Sequence, residues 1–316
     1  MIINAFKNKL ARRLQYLLSP AGKNYTKSIV LQSQIIAMHN RGVCNINNLS
    51  NIEFSGFSQW GEDGIIDWLI ERLPGIPQTF IEFGVEDYRE SNTRLMLHLR
   101  NWSGLVIDGS SEHISSIRAQ DVSWRFALTS KCAFIDCENI NRLISASGIS
   151  GEIGLLSVDI DGNDYWVWNA IKVVNPLIVV CEFNAVLGDL HELSVPYDAN
   201  FRRGMAHHSN LYFGASLPAL INLGRQKGYT FIGTNSNGCN AFFIRNDRAV
   251  EVLKSINNVQ AFSSKFRESR NVSGQLTFLN GSQRLEMISH LPIYDFSTQS
   301  IRTIADVGPL YSPDWQ

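Results

Sequence analysis

The stretch LLSVDIDGNDYWVW, from Leu155 to Trp168, shows how this chain folds and where its chemistry lies. Its first half is an uninterrupted apolar run typical of a buried strand, and its second half has the apolar spacing of a helix. Three carboxylates, Asp159, Asp161 and Asp164, lie between the two halves. Like charges this close repel one another and lose hydration when buried. The cluster therefore predicts a compensating partner: a metal ion, a cationic ligand or a shared proton.

Strand-like and helix-like segments alternate on both sides of this stretch. The predicted strands are TFIEFG, SGLVIDG, WRFALT, GLLSVDID and LIVVCEF. The predicted helices are GIIDWLIERL, SNTRLMLHLR, ENINRLISAS, a segment from about Tyr165, and SLPALINLGRQKG. Continuous apolar strands separated by helices predict a parallel sheet covered on both faces. The last strands, YTFIGT and NAFFIR, are joined only by the turn-rich NSNGC, which predicts an antiparallel hairpin. We therefore expect a Rossmann-like three-layer αβα fold, mostly parallel, closed by a C-terminal antiparallel hairpin.

Composition narrows the classes of protein and of partner. Of the 316 residues 44% are hydrophobic and 18% charged, which fits one large domain with appendages. A net charge of -1 supplies no field for collecting polyanions, so we expect no nucleic-acid partner. The cysteines are odd in number and lack metal-binding spacing, which predicts free thiols in a reducing compartment. No apolar run reaches the roughly 18 residues of a membrane span and no signal peptide is evident, so we expect a cytoplasmic protein.

The predicted organisation has three parts. Residues 1–50 form an N-terminal helical extension, residues 51–263 the main domain, and residues 264–316 a C-terminal extension or tail. The extension begins with apolar residues at helical spacing from Ile2 to Leu18, interleaved with Lys7, Lys9, Arg12 and Arg13. This basic amphipathic helix either lies on the inner face of a membrane or docks on the body or on a second protomer of a homo-oligomer. A second helix is predicted from about Tyr25 to His39.

Acidic residues follow four of the predicted strands. They are Glu82, Asp108, the pair Asp159 and Asp161, and Glu182, with Asn184 close behind. In an open parallel sheet the ligand binds beyond the carboxyl ends of the strands. A single acid there is commonly a helix cap or a solvated residue, but four consecutive strand ends predict the rim of a cleft.

The loop after the first strand argues against a dinucleotide. The segment EFGVEDYRESN has one glycine, Gly84, whereas a pyrophosphate calls for a G-x-G-x-x-G turn. S-adenosylmethionine has no phosphate and carries positive charge, so an acidic rim suits it. Asp108 stands where many nucleoside-binding folds place the acid that hydrogen-bonds the ribose hydroxyls.

The chain resembles the FkbM-type methyltransferases of the class I methyltransferase superfamily. The resemblance covers about Phe57 to Arg245 and is carried by the segments SQWGEDGII, FIEFGVEDYRESNTRL, WSGLVIDGS, LLSVDIDGNDYWVWNAI, IVVCEFNA and YFGASLPALINLGRQKGY with NAFFIR. The segment SVDIDGNDY matches the family's K-I-D-x-E-G-x-E pattern, with Ser157 where the family often has lysine. The resemblance implies S-adenosylmethionine-dependent O-methylation of a sugar hydroxyl on a bacterial surface polysaccharide or its lipid-linked precursor.

Site residues are predicted from the strand ends and the resemblance together. For cofactor binding they are Gln59, Glu82, Gly84, Asp108, Gly109, Ser110 and Asp159. For catalysis they are Asp159, Asp161, His207 and His208, with a histidine as the general base. For the saccharide acceptor they are Asp164, Asn184, Tyr212, Ser216 and Asn240.

Several alternatives stay open for these residues. Asp159, Asp161 and Glu182 supply the hard oxygen ligands that Mg²⁺ prefers. Otherwise Asp159 and Asp161 contact substrate hydroxyls or the cofactor while Asp164 caps a helix. The segment SQWGEDG either closes over the cofactor through Gln59, Glu62 or Asp63, or its acids cap the following helix as its acidic first turn. The histidines are either catalytic or plain surface residues. Two other functions fit the sequence: a metal-dependent enzyme such as a hydrolase, and a non-catalytic member of the fold.

Overall fold

The computed structural model describes residues 20–315. The basic amphipathic helix predicted between Ile2 and Leu18 lies outside the described residues. Among the described helices, none combines the length and apolarity that a transmembrane span needs.

A seven-stranded sheet forms the centre of the molecule. Its strands are β1 (Thr79–Phe83), β2 (Ser103–Asp108), β3 (Leu128–Cys132), β4 (Gly151–Val158), β5 (Val174–Glu182), β7 (Tyr229–Thr234) and β8 (Asn240–Arg245). The strand order is β3-β2-β1-β4-β5-β8-β7. The first five strands are parallel, whereas β8 runs antiparallel to both β5 and β7. The predicted mostly parallel sheet with a C-terminal antiparallel hairpin is confirmed.

Helices connect the strands and precede the sheet. They are α1 (Pro20–Arg41), α2 (Glu62–Glu71), α3 (Arg94–Arg100), α4 (Ser111–Ala119), α5 (Val122–Arg125), α6 (Ile140–Ser145), α7 (Asp164–Ala170), α8 (Arg203–Ala206), α9 (Leu217–Gln226), α10 (Asn246–Leu253) and α11 (Ser282–Ile288). Two hydrophobic clusters form from alternating strand residues, since Phe80, Val106 and Leu155 face one cluster and Ile81, Leu105 and Leu156 face the other. Each face of the sheet is therefore buried.

One predicted strand begins in the wrong place. The segment WRFALT was predicted as a strand, but Val122–Arg125 is helical and β3 starts only at Leu128. The strand itself carries the polar residues Thr129, Ser130 and Lys131. They are tolerated because β3 lies at the edge of the sheet and is partly exposed. A rule that looks for apolar runs misses an edge strand of this kind.

The C-terminal residues are part of the folded body. Strands β9 (Pro292–Asp295) and β10 (Ser300–Thr303) form a small antiparallel sheet with β6 (Leu193–Ser194). Beneath it lies a third hydrophobic cluster, to which this segment contributes Ile288, Ile293, Ile304 and Leu310. Residues 264–315 therefore pack against the insertion between β5 and α9.

The backbone directly after β1 passes very close to the backbone of the loop after β4. Gly84 follows β1 with a φ of +71°, and a Cβ built on it would lie 1.7 Å from the carbonyl oxygen of Asp159. Only glycine fits, because a side chain here meets backbone and also disfavours this φ. Gly84 thus positions Asp159 at the carboxyl edge of the sheet.

We expect Gly84→Ala to lower the free energy of unfolding by about 3 kcal/mol, since it combines an unfavourable φ with overlap against backbone. Urea titration measures the loss. Gly75→Ala is the matched control, because Gly75 has a φ of +76° but open space around its Cβ position. The control should lose only about 1 kcal/mol. Equal losses in the two variants would show that the contact with Asp159 contributes nothing.

Candidate active site

Three carboxylates meet at the carboxyl edge of the sheet. Asp159 and Asp161 follow β4, and Glu182 ends β5. One carboxylate oxygen from each lies within 4.8 Å of the others. Of the strand-end acids predicted to rim a cleft, these three meet, whereas Glu82 and Asp108 lie at the ends of β1 and β2. The contacts of each acid show which ones anchor loops and which ones are available to a ligand.

Glu82 anchors the loop that precedes α3. Its carboxylate accepts hydrogen bonds from the backbone N–H groups of Asn92 at 2.7 Å and Thr93 at 3.2 Å, and from the Thr93 hydroxyl at 2.5 Å. Burial raises the pKa of Glu82 to about 7, although the bonds from Thr93 and Asn92 oppose the shift. Both oxygens are occupied within the loop, so the structure gives this predicted cofactor residue an anchoring role.

Asp108 closes the turn after β2. It accepts the backbone N–H groups of Glu86 and Ser110, both at 2.8 Å, and lies 3.0 Å from Nδ1 of His113. A carboxylate has about four accepting positions, so three contacts leave one for a ligand. Ser110 caps α4 by accepting from the N–H of His113, and Gly109 lies exposed between the two.

Asp164 holds the loop that carries Asp161. Its carboxylate accepts the backbone N–H of Ile160 at 2.7 Å and of Gly162 at 2.9 Å. The side chain is fully buried, and burial raises its pKa to about 6. Asp161 has a φ of +56°, which is uncommon for a residue other than glycine. Asp164 therefore stabilises the strained turn, and its role as an acceptor contact stays a prediction.

Asp159 and Glu182 form a carboxyl pair with a different character. Within residues 20–315, no backbone amide is seen to donate to either side chain, and Oε2 of Glu182 is buried without a hydrogen-bond partner. Burial, then the nearby acids, raise the pKa of both groups well above the ordinary range. The pair is thus the place where the cluster needs a shared proton or a cation.

Arg203 is the cation that the sequence analysis missed. It forms an ion pair with Asp161, with Nη1 and Oδ1 2.5 Å apart, and its Nε donates to the carbonyl of Asn210 at 2.8 Å. The guanidinium lies 3.8 Å from the ring centroid of Phe213. Arg203 follows β4 by more than 40 residues, and only the fold brings it to Asp161.

A small cavity opens beside the carboxyl pair. It is lined by Glu182 and Arg203 and also by four residues of the C-terminal segment: Ser264, Phe266, Glu268 and Arg284. Its volume of about 30 Å³ admits one or two water molecules and excludes a nucleoside. The segment predicted as a tail therefore forms one wall of the site.

Most of the predicted acceptor residues have structural partners. Asn184 lines the cavity, but its amide donates to the carbonyls of Leu211 and Phe213. Tyr212 donates its hydroxyl to the carbonyl of Pro292, and Ser216 caps α9 by accepting from the N–H of Ala219. These contacts tie the insertion after β5 to the rest of the fold.

The predicted closing segment near Gln59 is joined to the hairpin. Glu62 accepts from the side-chain amides of Asn235 and Asn240 at 2.8 and 2.9 Å. Asp63 accepts three successive backbone N–H groups, those of residues 56–58. Gln59 is exposed, whereas Oδ1 of Asn240 is buried and has no partner. The acids of this segment therefore anchor the preceding loop and the hairpin, whereas the N-cap residue of α2, Gly61, makes no side-chain capping hydrogen bond.

The rings of His207 and His208 lie against each other at an angle of 42°, beside the C-terminal segment. Their ring centroids are 4.2 Å apart, and the ring of His290 lies 5.7 Å from that of His207. Burial and the neighbouring histidines lower the pKa of His207. Neither residue is among those that line the cavity. The role of general base stays a prediction for these histidines.

Comparison with known proteins finds similarity only among solved structures, since no protein-family model and no curated protein matches the chain. An S-adenosylmethionine-dependent methyltransferase from Clostridium acetobutylicum is 12% identical, over 58% of this chain and 90% of that one, with a TM-score of 0.36. An O-methyltransferase from Bacillus cereus in complex with SAH is 10% identical, over 75% and 96%, with a TM-score of 0.37. The [4+2]-cyclase SpnF is 15% identical, over 67% and 72%, with a TM-score of 0.34.

The raised pKa of Glu82 predicts a pH dependence of stability. Its folded-state pKa of about 7 exceeds the ordinary 4.5. The neutral carboxyl therefore stabilises the fold below about pH 4.5, and this contribution is lost as the pH rises through about 7. Between about pH 4.5 and about pH 8, the free energy of unfolding of the wild type should fall by about 3 kcal/mol more than that of Glu82→Gln.

Urea titrations at several pH values measure this difference. Glu286→Gln, at an exposed site, is the control and should keep the wild-type dependence. If Glu82→Gln also kept it, another group would be responsible.

Proposed function

We propose that this chain is an S-adenosylmethionine-dependent O-methyltransferase whose acceptor is a sugar hydroxyl. The observation that carries the proposal is the Asp159–Glu182 pair, which has a raised pKa and lies at the ligand-binding edge of a sheet of the class I methyltransferase type. Asp108 lies at the same edge, two strands from β4. Its position supports a nucleoside cofactor next to an acid–base group.

The carboxyl pair suits the removal of a hydroxyl proton. A sugar hydroxyl is a weak acid, so its conversion to a nucleophile is helped by a base whose pKa lies near neutrality. Two neighbouring carboxyl groups hold one proton between them, and their remaining negative charge accepts a second. A carboxylate oxygen of Asp159 or Glu182 would take the proton of the acceptor hydroxyl. The Arg203–Asp161 ion pair would limit the negative charge around it.

The donor groups at this edge fit the proposed cofactor. When bound, S-adenosylmethionine supplies a methyl group on a positively charged sulfur. Asp108 keeps one accepting position, which would bind a ribose hydroxyl, and the uncompensated acids at β4 and β5 favour positive charge nearby. The cavity beside Glu182 is too small for the nucleoside, so the ends of β1 and β2 would hold it. Positioning of the two reactants would then supply much of the acceleration.

The saccharide acceptor and its setting complete the proposal. The resemblance to FkbM-type proteins supports a bacterial surface polysaccharide or its lipid-linked precursor as acceptor. A cytoplasmic enzyme in contact with the inner face of the membrane would meet such a precursor. The acceptor and the place where the enzyme meets it are proposals about the substrate, and a fold does not select a substrate.

A divalent cation is the second candidate for the carboxyl cluster. Three carboxylate oxygens within 4.8 Å of one another favour it, together with the unpartnered Oε2 of Glu182. Mg²⁺ prefers such hard oxygen ligands and would acidify a bound hydroxyl or water. The same ion would serve methyl transfer or, in a chain without affinity for S-adenosylmethionine, a hydrolase. A non-catalytic member of the fold would bind neither.

Calorimetric titration with S-adenosylmethionine and S-adenosylhomocysteine tests the cofactor. We expect binding that Asp108→Asn weakens about tenfold or more, since a charged acceptor is lost. Asp136→Asn is the matched control, because Asp136 also accepts two backbone N–H groups, those of Glu138 and Asn139. Absence of binding to the folded wild type would refute the methyltransferase proposal. Transfer of labelled methyl groups to a panel of oligosaccharides then tests the acceptor.

Asp159→Asn tests the repulsion within the carboxyl pair. We expect it to raise the free energy of unfolding by about 2 kcal/mol at about pH 8, because it removes one of two charges that burial disfavours. The gain should shrink near pH 5, where the pair holds protons. Asp161→Asn should have the opposite sign, because it leaves Arg203 without its anion.

Urea titrations measure both changes, and a destabilisation by Asp159→Asn that is independent of pH would contradict the repulsion. The wild type and Asp159→Asn also distinguish a carboxyl pair that shares a proton from one that binds a metal ion. If Mg²⁺ raises the melting temperature of the wild type and not of Asp159→Asn, the cluster binds the ion.

A further inference from the structure

Helix α1 packs on the body with the face that is poorer in large apolar side chains. Ser33, Ala37 and Asn40 lie on the buried face and are 3%, 0% and 7% exposed. Asn40 donates to the carbonyl of Ile52 at 2.9 Å, and Arg41 forms an ion pair with Asp67 at 2.8 Å. The helix is therefore held to the body by polar contacts and close approach as well as by Ile29 and Val30.

The opposite face of α1 carries large apolar side chains into solvent. Leu31, Ile35 and Met38, spaced i, i+4 and i+7, are 61%, 69% and 64% exposed. Tyr25 and Ile36 are also exposed beside this stripe. Large apolar side chains that stay exposed after folding are unfavourable unless another surface covers them. A contiguous exposed patch of such side chains marks an interaction site. The stripe therefore calls for a partner.

Charge identifies the kind of partner. Residues 1–52 contain seven of the 28 lysines and arginines and none of the 29 acids. Three of these cations, Lys23, Lys27 and Arg41, belong to α1 itself. The nearest acids on the adjoining helix, Asp67 and Glu71, are paired with Arg41 and Arg100. A surface that is apolar, cationic and free of its own acids fits an anionic lipid bilayer.

We propose that the stripe Leu31–Ile35–Met38 on α1 docks the folded body on an anionic lipid surface. The apolar side chains enter the boundary between head groups and acyl chains, while Lys27, exposed on the same helix, lies near the lipid phosphates. The buried face stays on the body, so the helix lies in the plane of the interface. A second copy fits less well, because two α1 helices placed face to face bring together cations that no acid of residues 1–52 neutralises.

This surface goes beyond the proposed methyl transfer and is tested without cofactor or acceptor. The full chain is floated with vesicles of phosphatidylglycerol and phosphatidylcholine, and with vesicles of phosphatidylcholine alone. We expect binding to the anionic vesicles that high salt weakens, and about a tenfold loss in the triple variant Leu31→Gln, Ile35→Gln, Met38→Gln. The matched control is Val250→Gln, Val272→Gln, Ile301→Gln, at three other exposed apolar positions, and should bind as the wild type does.

Three outcomes would overturn the proposal: no vesicle binding by the wild type, equal binding to the neutral vesicles, or equal binding by the triple variant. Analytical ultracentrifugation without lipid identifies the rival partner. A wild-type dimer that the triple variant converts to monomer, with no vesicle binding, would assign the stripe to a second copy of the chain. A triple variant that stays folded and loses only vesicle binding supports the lipid surface.

Discussion

Buried carboxylates that accept backbone N–H groups hold the carboxyl edge of this sheet together. Asp63, Glu82, Asp108 and Asp164 each bind two or three amides of the loops beside them. A hydrogen bond to a charged group contributes about 1.5–3 kcal/mol, and a buried amide left without a partner costs a similar amount. The loops cannot move away from the strand ends without losing these bonds. The geometry of the site rests on this constraint.

The same anchoring explains why Asp159 and Glu182 stay close despite their repulsion. Gly84 fixes the backbone of Asp159 from one side, and Asp164 closes the turn that follows. Glu182 ends a central strand paired on both sides. Both carboxyl groups are only partly exposed, so their charge is compensated by protons, by a ligand or in part by Arg203. A site that costs stability in this way is expected where an acid–base group must be ready before the substrate arrives.

Charge is divided unevenly along the chain, although the total is close to zero. All the Lys, Arg, Asp and Glu residues among the first 52 positions are basic, and the remaining residues hold all the acids. In α1 this division coincides with an unusual pattern of burial: apart from Ile29 and Val30, small and polar residues face the body, while Leu31, Ile35 and Met38 face solvent. A helix that served only to cover the core would be expected to show the reverse order.

The sequence alone determined the sheet, because the alternation of apolar strands and amphipathic helices is a local property of the chain. It also located the acids at the strand ends. It did not show which acids anchor loops and which remain for a ligand, because that depends on where the amides of residues 56–58, 86 and 92–93 come to lie. Arg203, the wall formed by residues 264–284 and the outward stripe of α1 were likewise decided by the tertiary structure. Each depends on contacts between segments far apart in the chain, which no local pattern of residues records.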